Sequence, residues 1–138
     1  MRWVFADTLY WIASIFPSDP WHESSLRAYA SLGVETRILT TQEVLTEVLS
    51  ACAGQGDFLR LKATRMVRTI LESENVTVIP QSSESFLTGL ELYEQRQDKG
   101  YSLVDCISMN AMRKHGIAEI LTNDHHFMQE GFIILIHR

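Results

Sequence analysis

Along this chain, short runs of strand-forming apolar residues alternate with longer stretches in which apolar residues recur every three or four positions. Strands separated by helices cannot turn back on one another through tight hairpins, so they pair in parallel and bury both faces. The strand-like runs are residues 2–6, Arg37 to Leu39, Val76 to Ile79, Glu119 to Leu121 and Phe132 to Ile136. Between them, helical periodicity covers residues 9–16, 21–32, 44–52, 58–71, 83–97 and 102–114, with a short turn of helix at 126–129. Pro17 and Pro20 break the first pair. Gly33, Gly54 and Gly116 stand where helices should stop, while Thr40-Thr41 and Ser102 stand where two should be capped. The expected fold class is α/β, a parallel sheet of about four or five strands flanked by helices.

At 138 residues and 46% hydrophobic content, one core is affordable and two are not, so residues 1–138 are read as a single domain. The apolar opening, residues 1–16, resembles a signal sequence only until Asp7 interrupts it, and is read as core. No run approaches the roughly 18 apolar residues of a membrane span, so a soluble, cytoplasmic protein is expected, with no membrane partner. Cys52 and Cys106 fall inside apolar helical patterns and read as buried thiols of a reducing compartment. The formal net charge of -5 argues against a protein that holds nucleic acid by a basic surface. It argues less against a nuclease, because clustered carboxylates contribute much of that charge and a divalent cation reverses its local sign.

In a parallel sheet, ligands bind beyond the carboxyl ends of the strands. Asp7 and Asp124 each follow a strand and belong at that edge. Taken singly, the acids have structural explanations: Asp7 and Asp124 as N-caps, Asp105 as partner of Ser102 in a capping box, and Glu47 as a solvated helix residue beside Val44. Together they match a different need. Hydrolysis of a phosphodiester at neutral pH uses hard cations held by carboxylates. The histidines are not expected to be ligands, since His125-His126 are adjacent and His22, His115 and His137 lack ligand spacing. The cysteines have no C-x-x-C partner, which removes zinc and thioredoxin chemistry.

Four segments carry a resemblance. They are Val4-Phe5-Ala6-Asp7-Thr8 with Leu9 to Ala13, Ile38-Leu39-Thr40-Thr41 leading to Val44-Leu45-Thr46-Glu47, Asp98 to Ser108, and Leu121-Thr122-Asn123-Asp124-His125-His126-Phe127 followed by Gly131-Phe132. In order and spacing the chain resembles the PIN-domain family, specifically the VapC-type bacterial toxins, over almost its whole length. The resemblance implies a PIN fold and an Mg²⁺- or Mn²⁺-dependent endoribonuclease. It also implies inhibition by a cognate antitoxin protein and a homodimer.

Carried over by motif, it makes Asp7, Glu47, Asp105 and Asp124 the catalytic quartet, with Asp7, Asp105 and Asp124 as metal ligands. Thr8 and Thr122 match supporting hydroxyl positions. Glu43 stands where the family more often has an apolar residue, and is read as a charge at a helix N-terminus ahead of a supplementary ligand or a substitute for Glu47. Asp98 matches a loop acid but suits a turn equally well, and His125 replaces a frequent Arg.

Other assignments fit less well. A haloacid-dehalogenase-type phosphatase needs a second Asp where Leu9 stands, and a response-regulator receiver needs an acidic pair where Ala6-Asp7 stands. A PIN-like DNA nuclease would carry more acids and insertions. A non-catalytic PIN-fold binding module would have lost some of the acids. Among aromatics of a kind that stacks on bases, Trp3 and Trp11 sit in core patterns, whereas Trp21 and Tyr101 are read as rim residues. Arg113-Lys114 reads as a favourable C-terminal charge on its helix rather than a phosphate clamp.

Overall fold

The computed structural model describes residues Met1–Arg138. Its elements in chain order are β1 (Trp3–Ala6), α1 (Thr8–Ile15), α2 (His22–Ala30), β2 (Arg37–Thr41), α3 (Gln42–Cys52) and α4 (Asp57–Glu72). They continue with β3 (Val76–Ile79), α5 (Ser83–Gln95), α6 (Leu103–Lys114), β4 (Glu119–Leu121), α7 (His125–Gln129) and β5 (Ile133–Ile134). The five strands form one sheet in the order β3-β2-β1-β4-β5, and every pairing is parallel.

The centre of the sheet is the driest part of the protein. Val4, Phe5 and Ala6 of β1, Ile38 and Leu39 of β2, and Ile120 and Leu121 of β4 are all buried. These near-continuous apolar strands are what a sheet covered on both faces requires. Each fully buried large side chain contributes on the order of 1.5–3 kcal/mol, so the three central strands are the main anchor. Cys52 and Cys106 are buried free thiols, and no helix is long and apolar enough to cross a membrane.

The sheet order places the site. From β1 the chain steps one way to β2 and β3, then returns through α5 and α6 to lay β4 on the other side of β1. The reversal lies between β1 and β4, and a crevice opens at such a switch point beyond the strand ends. Asp7 follows β1 there, and Thr122 to Asp124 follow β4.

Among the boundaries that differ from expectation, three bear on the site and the sheet. β2 runs on through Thr40 and Thr41, whose β-branched side chains suit a strand. Thr41 also caps α3, its hydroxyl accepting from the Val44 N–H at 3.1 Å. α5 ends at Gln95, and the last strand is confined to Ile133–Ile134.

Candidate active site

Asp7 stands at the N-cap position of α1 but does not cap it. Its Oδ2 accepts instead from the Thr122 hydroxyl at 2.9 Å, and the same Thr122 oxygen accepts from the Asp124 N–H at 3.1 Å. One threonine thus ties the end of β1 to the loop after β4. Asp7 is 6% exposed. Burial, then the charges of Asp105 and Asp124, push its carboxyl up to about 7, against opposing hydrogen bonds from the Thr8 backbone and Thr122.

Asp105 reaches the site from the first turn of α6, where it completes the expected capping box. Its N–H donates to Ser102 Oγ at 3.0 Å and its Oδ2 accepts from the Ser102 N–H at 3.1 Å. Burial raises its pKa, and Asp124 raises it further, while the Ser102 backbone and His126 pull it down. Asp124 caps α7 as the sequence indicates, with Oδ1 accepting from the His126 N–H at 2.9 Å.

Glu47 enters from α3. It accepts a 2.5 Å hydrogen bond from the Thr8 hydroxyl. Burial raises its pKa and the charge of Asp105 adds to this, with the Thr8 bond working the other way. Asp7, Glu47, Asp105 and Asp124 are therefore one electrostatically coupled group, drawn from four separate parts of the chain. Asp105, Asp124 and His126 form one tight group, whose potential ligand atoms all lie within 4.8 Å of one another. His126 Nδ1 is 3.4 Å from Asp105 Oδ2 and 3.4 Å from Asp124 Oδ1. No histidine has a ligand's spacing in the sequence, and the structure sets His126 beside two of the acids. The turn that lets Asp124 cap α7 also folds the residue two positions on back toward the cap, a relation that ligand-spacing rules do not capture.

The remaining candidates lie apart. Glu43 is in the first turn of α3, and its Oε2 accepts from Ser85 Oγ on α5 at 3.0 Å. Asp98 is exposed, with Lys99 4.0 Å away. Beside Thr8 and Glu47 an open groove continues along Glu43, Thr46, Ser50 and Gln81.

The carboxylate set suits a divalent cation on chemical grounds. A buried carboxylate held beside two others is costly while all are ionised, and a hard cation removes that cost. Oxygen donors match Mg²⁺ or Mn²⁺, and an imidazole is compatible with Mn²⁺.

Residues 4–131 match the family described as the PIN domain. The chain belongs to the PIN domain family. It is 29% identical over 133 residues to the 23S rRNA-specific endonuclease VapC20 of Mycobacterium tuberculosis, covering 94% of this chain and 95% of that relative. The crystal structure of VapC20, a Sarcin-Ricin loop cleaving toxin, matches with a TM-score of 0.84 at 25% identity, over 94% of this chain and 96% of that one. VapBC2 from Rickettsia felis, solved bound to promoter DNA, shares the fold with a TM-score of 0.64 at 15% identity, over 97% of both chains.

This PIN domain also contains a charged cluster that the sequence does not announce. Glu130, the C-cap of α7, has a side chain only 6% exposed. It accepts from Arg96 Nε at 2.9 Å, Arg113 Nη2 at 2.7 Å and the Tyr101 hydroxyl at 2.9 Å. Burial alone would raise its pKa, but the bonds from Arg96, Arg113 and Tyr101 outweigh that and hold it down to about 2. One expectation is corrected here. Tyr101 is buried rather than at the rim, while Arg113 lies in the last turn of α6 as expected and also pairs with Glu130. Trp21 is half-buried, with the Arg138 guanidinium 4.3 Å from its ring centre.

Proposed function

We propose that this chain is a divalent-cation-dependent endoribonuclease acting as the toxin of a toxin-antitoxin pair. The observation that carries this reading is the convergence of Asp7, Asp105, Asp124 and Glu47 at the sheet's switch point. The likeness to VapC20 supports RNA as the substrate class, and 23S rRNA is the first substrate to try. Toxin-antitoxin complexes also share the fold, among them one from Klebsiella pneumoniae at a TM-score of 0.58. They support an antitoxin protein as the partner. A homodimer and a cytoplasmic setting belong to the same reading.

Asp105 and Asp124, with Asp7 behind them, would hold Mg²⁺ or Mn²⁺, and His126 is placed to join them. A cation bound there supplies charge neutralisation at the phosphate and acidifies a water. Glu47, kept in place by the Thr8 hydroxyl, faces the open groove and is positioned to orient an attacking water and take its proton. Thr122 keeps Asp7 and the Asp124 backbone in register, so strand pairing itself sets the spacing between acids. Substrate lies along the groove beside Thr8 and Glu47. The charge of -5 makes the cation, rather than a basic surface, the main attraction for phosphate.

The test is cleavage of 23S rRNA by purified protein with Mn²⁺, with cut sites mapped by primer extension. Asp7→Asn and Asp105→Asn should each lower the rate by two or more orders of magnitude while retaining native circular dichroism, which corresponds to about 3 kcal/mol or more of lost transition-state stabilisation. Wild-type rates in either variant would exclude the assignment.

A further inference from the structure

We propose that Tyr101 and Glu130 are positioning residues for the cation site: Glu130 anchors the Tyr101 hydroxyl, and the Tyr101 ring holds the His126 imidazole between Asp105 and Asp124. The inference rests on the cation reading above and extends it to residues that touch neither cation nor substrate.

The geometry forms a continuous path. The Tyr101 ring centre is 5.1 Å from that of His126, with the planes tilted by 59°. His126 Nδ1 stands 3.4 Å from each of two carboxylate oxygens, longer than a well-formed hydrogen bond of about 2.7–3.2 Å. Those contacts do not lock the imidazole, so its orientation depends on what packs against it. A tilted aromatic contact is shallow, worth on its own only about 0.5–1.5 kcal/mol, and it fixes position only if the second ring is itself held.

Tyr101 is held at its far end. Its hydroxyl donates to Glu130 Oε2 at 2.9 Å, on a carboxylate that also receives Arg96 and Arg113. Two guanidinium groups already match the charge of Glu130. The phenol adds no charge, and it is the one donor of the three whose ring contacts His126. Arg96 comes from the end of α5, Arg113 from the last turn of α6 and Glu130 from the end of α7. The Tyr101 anchor is therefore fastened to the same two helices, α6 and α7, whose first turns carry Asp105 and His126.

The experiment measures Mn²⁺ affinity by titration calorimetry on the full chain, for wild type, Tyr101→Phe, His126→Ala, their combination and Asp105→Asn. Imidazole resonances of the metal-free proteins are followed by NMR in parallel. Tyr101→Phe keeps the ring and removes only the anchor. It should remain folded, shift the His126 resonances and weaken Mn²⁺ binding by about tenfold. Added to His126→Ala it should cause no further loss, because the two act through one group. Unchanged affinity and resonances in Tyr101→Phe, losses that simply add, or an unfolded Tyr101→Phe would each overturn the proposal. In those cases binding abolished by Asp105→Asn would leave the cation reading standing. A wild-type protein that binds no Mn²⁺ would overturn both.

Discussion

At the scale of single residues, Asp7 is the most consequential side chain. Its carboxyl, raised to about 7 by burial and by Asp105 and Asp124, takes up a proton in the native state at a pH where the unfolded chain has lost it. The stabilising contribution of that proton is fully present below the ordinary aspartate range near 4 and is lost as pH rises through 7. In the metal-free protein, Asp7→Asn should therefore raise stability at pH 8 by on the order of 1–4 kcal/mol, with the difference closing toward pH 4. Denaturant melts in EDTA at the two pH values would show this. An Asn variant less stable than wild type at pH 8 would mean that the cluster does not strain the fold. On the proposed reading, the charge of this residue serves cation binding at the expense of the apo-protein's stability. Of the four acids, Asp7, Asp105 and Asp124 were placed correctly beside strand ends or helix starts by local pattern. Sequence pattern also offered each a purely structural role as a cap. It could not show that Asp7 leaves its cap unmade, or that the Asp105 and Asp124 caps face one another, because those facts depend on contacts more than 15 positions apart.

At the scale of elements, the contact between α5 and α6 has a sharp requirement. A Cβ added at Gly89 would lie 2.5 Å from Ile107 Cγ1. Alanine gains about 1 kcal/mol in helix propensity over glycine, whereas overpacking costs typically 1–3 kcal/mol. The atom met is near the root of a β-branched side chain, so packing decides, and Gly89→Ala should lower the unfolding free energy by about 1 kcal/mol in urea melts. The ends of α5, α6 and α7 are joined through Glu130. Its depressed pKa adds stability above the ordinary glutamate range, and that stability is lost as pH falls toward 2. Glu130→Gln should cost about 2–3 kcal/mol at pH 7, and the difference should shrink in acid melts. Helices with local signals were legible: the Ser102 and Ser82 capping boxes form, though only the first was read from the sequence. β2 was cut short because Thr40-Thr41 has the composition of a helix start as well as the branching of a strand. Tyr101 and Glu130 were not legible as partners, since 29 positions separate them and no periodicity links a loop tyrosine to a helix-end acid.

For the whole molecule, the proposed cation site makes cation binding and folding one thermodynamic system, because the sheet order β3-β2-β1-β4-β5 assembles its ligands only in the native state. A ligand that binds only the native state adds about 2.7 kcal/mol at a hundred times its dissociation constant. For a chain of this size that is an increase of several degrees in melting temperature. Mn²⁺ should produce this shift in wild type and none in Asp105→Asn, as read by calorimetry. The parallel α/β class and the position of Asp7 and Asp124 beyond strand ends followed from alternation of strand and helix patterns. The sequence did not reveal which strands are neighbours, and the Thr122 hydroxyl that joins Asp7 across 115 positions is where that matters most. Its consequence is temporal. A chain made from its N-terminus completes β1, β2 and β3 long before Thr122 and Asp124 exist. The proposed site therefore comes together only when about the last seventh of the polypeptide inserts beside the first strand. Until that moment the proposed site lacks both its fourth acid and the hydroxyl that holds Asp7.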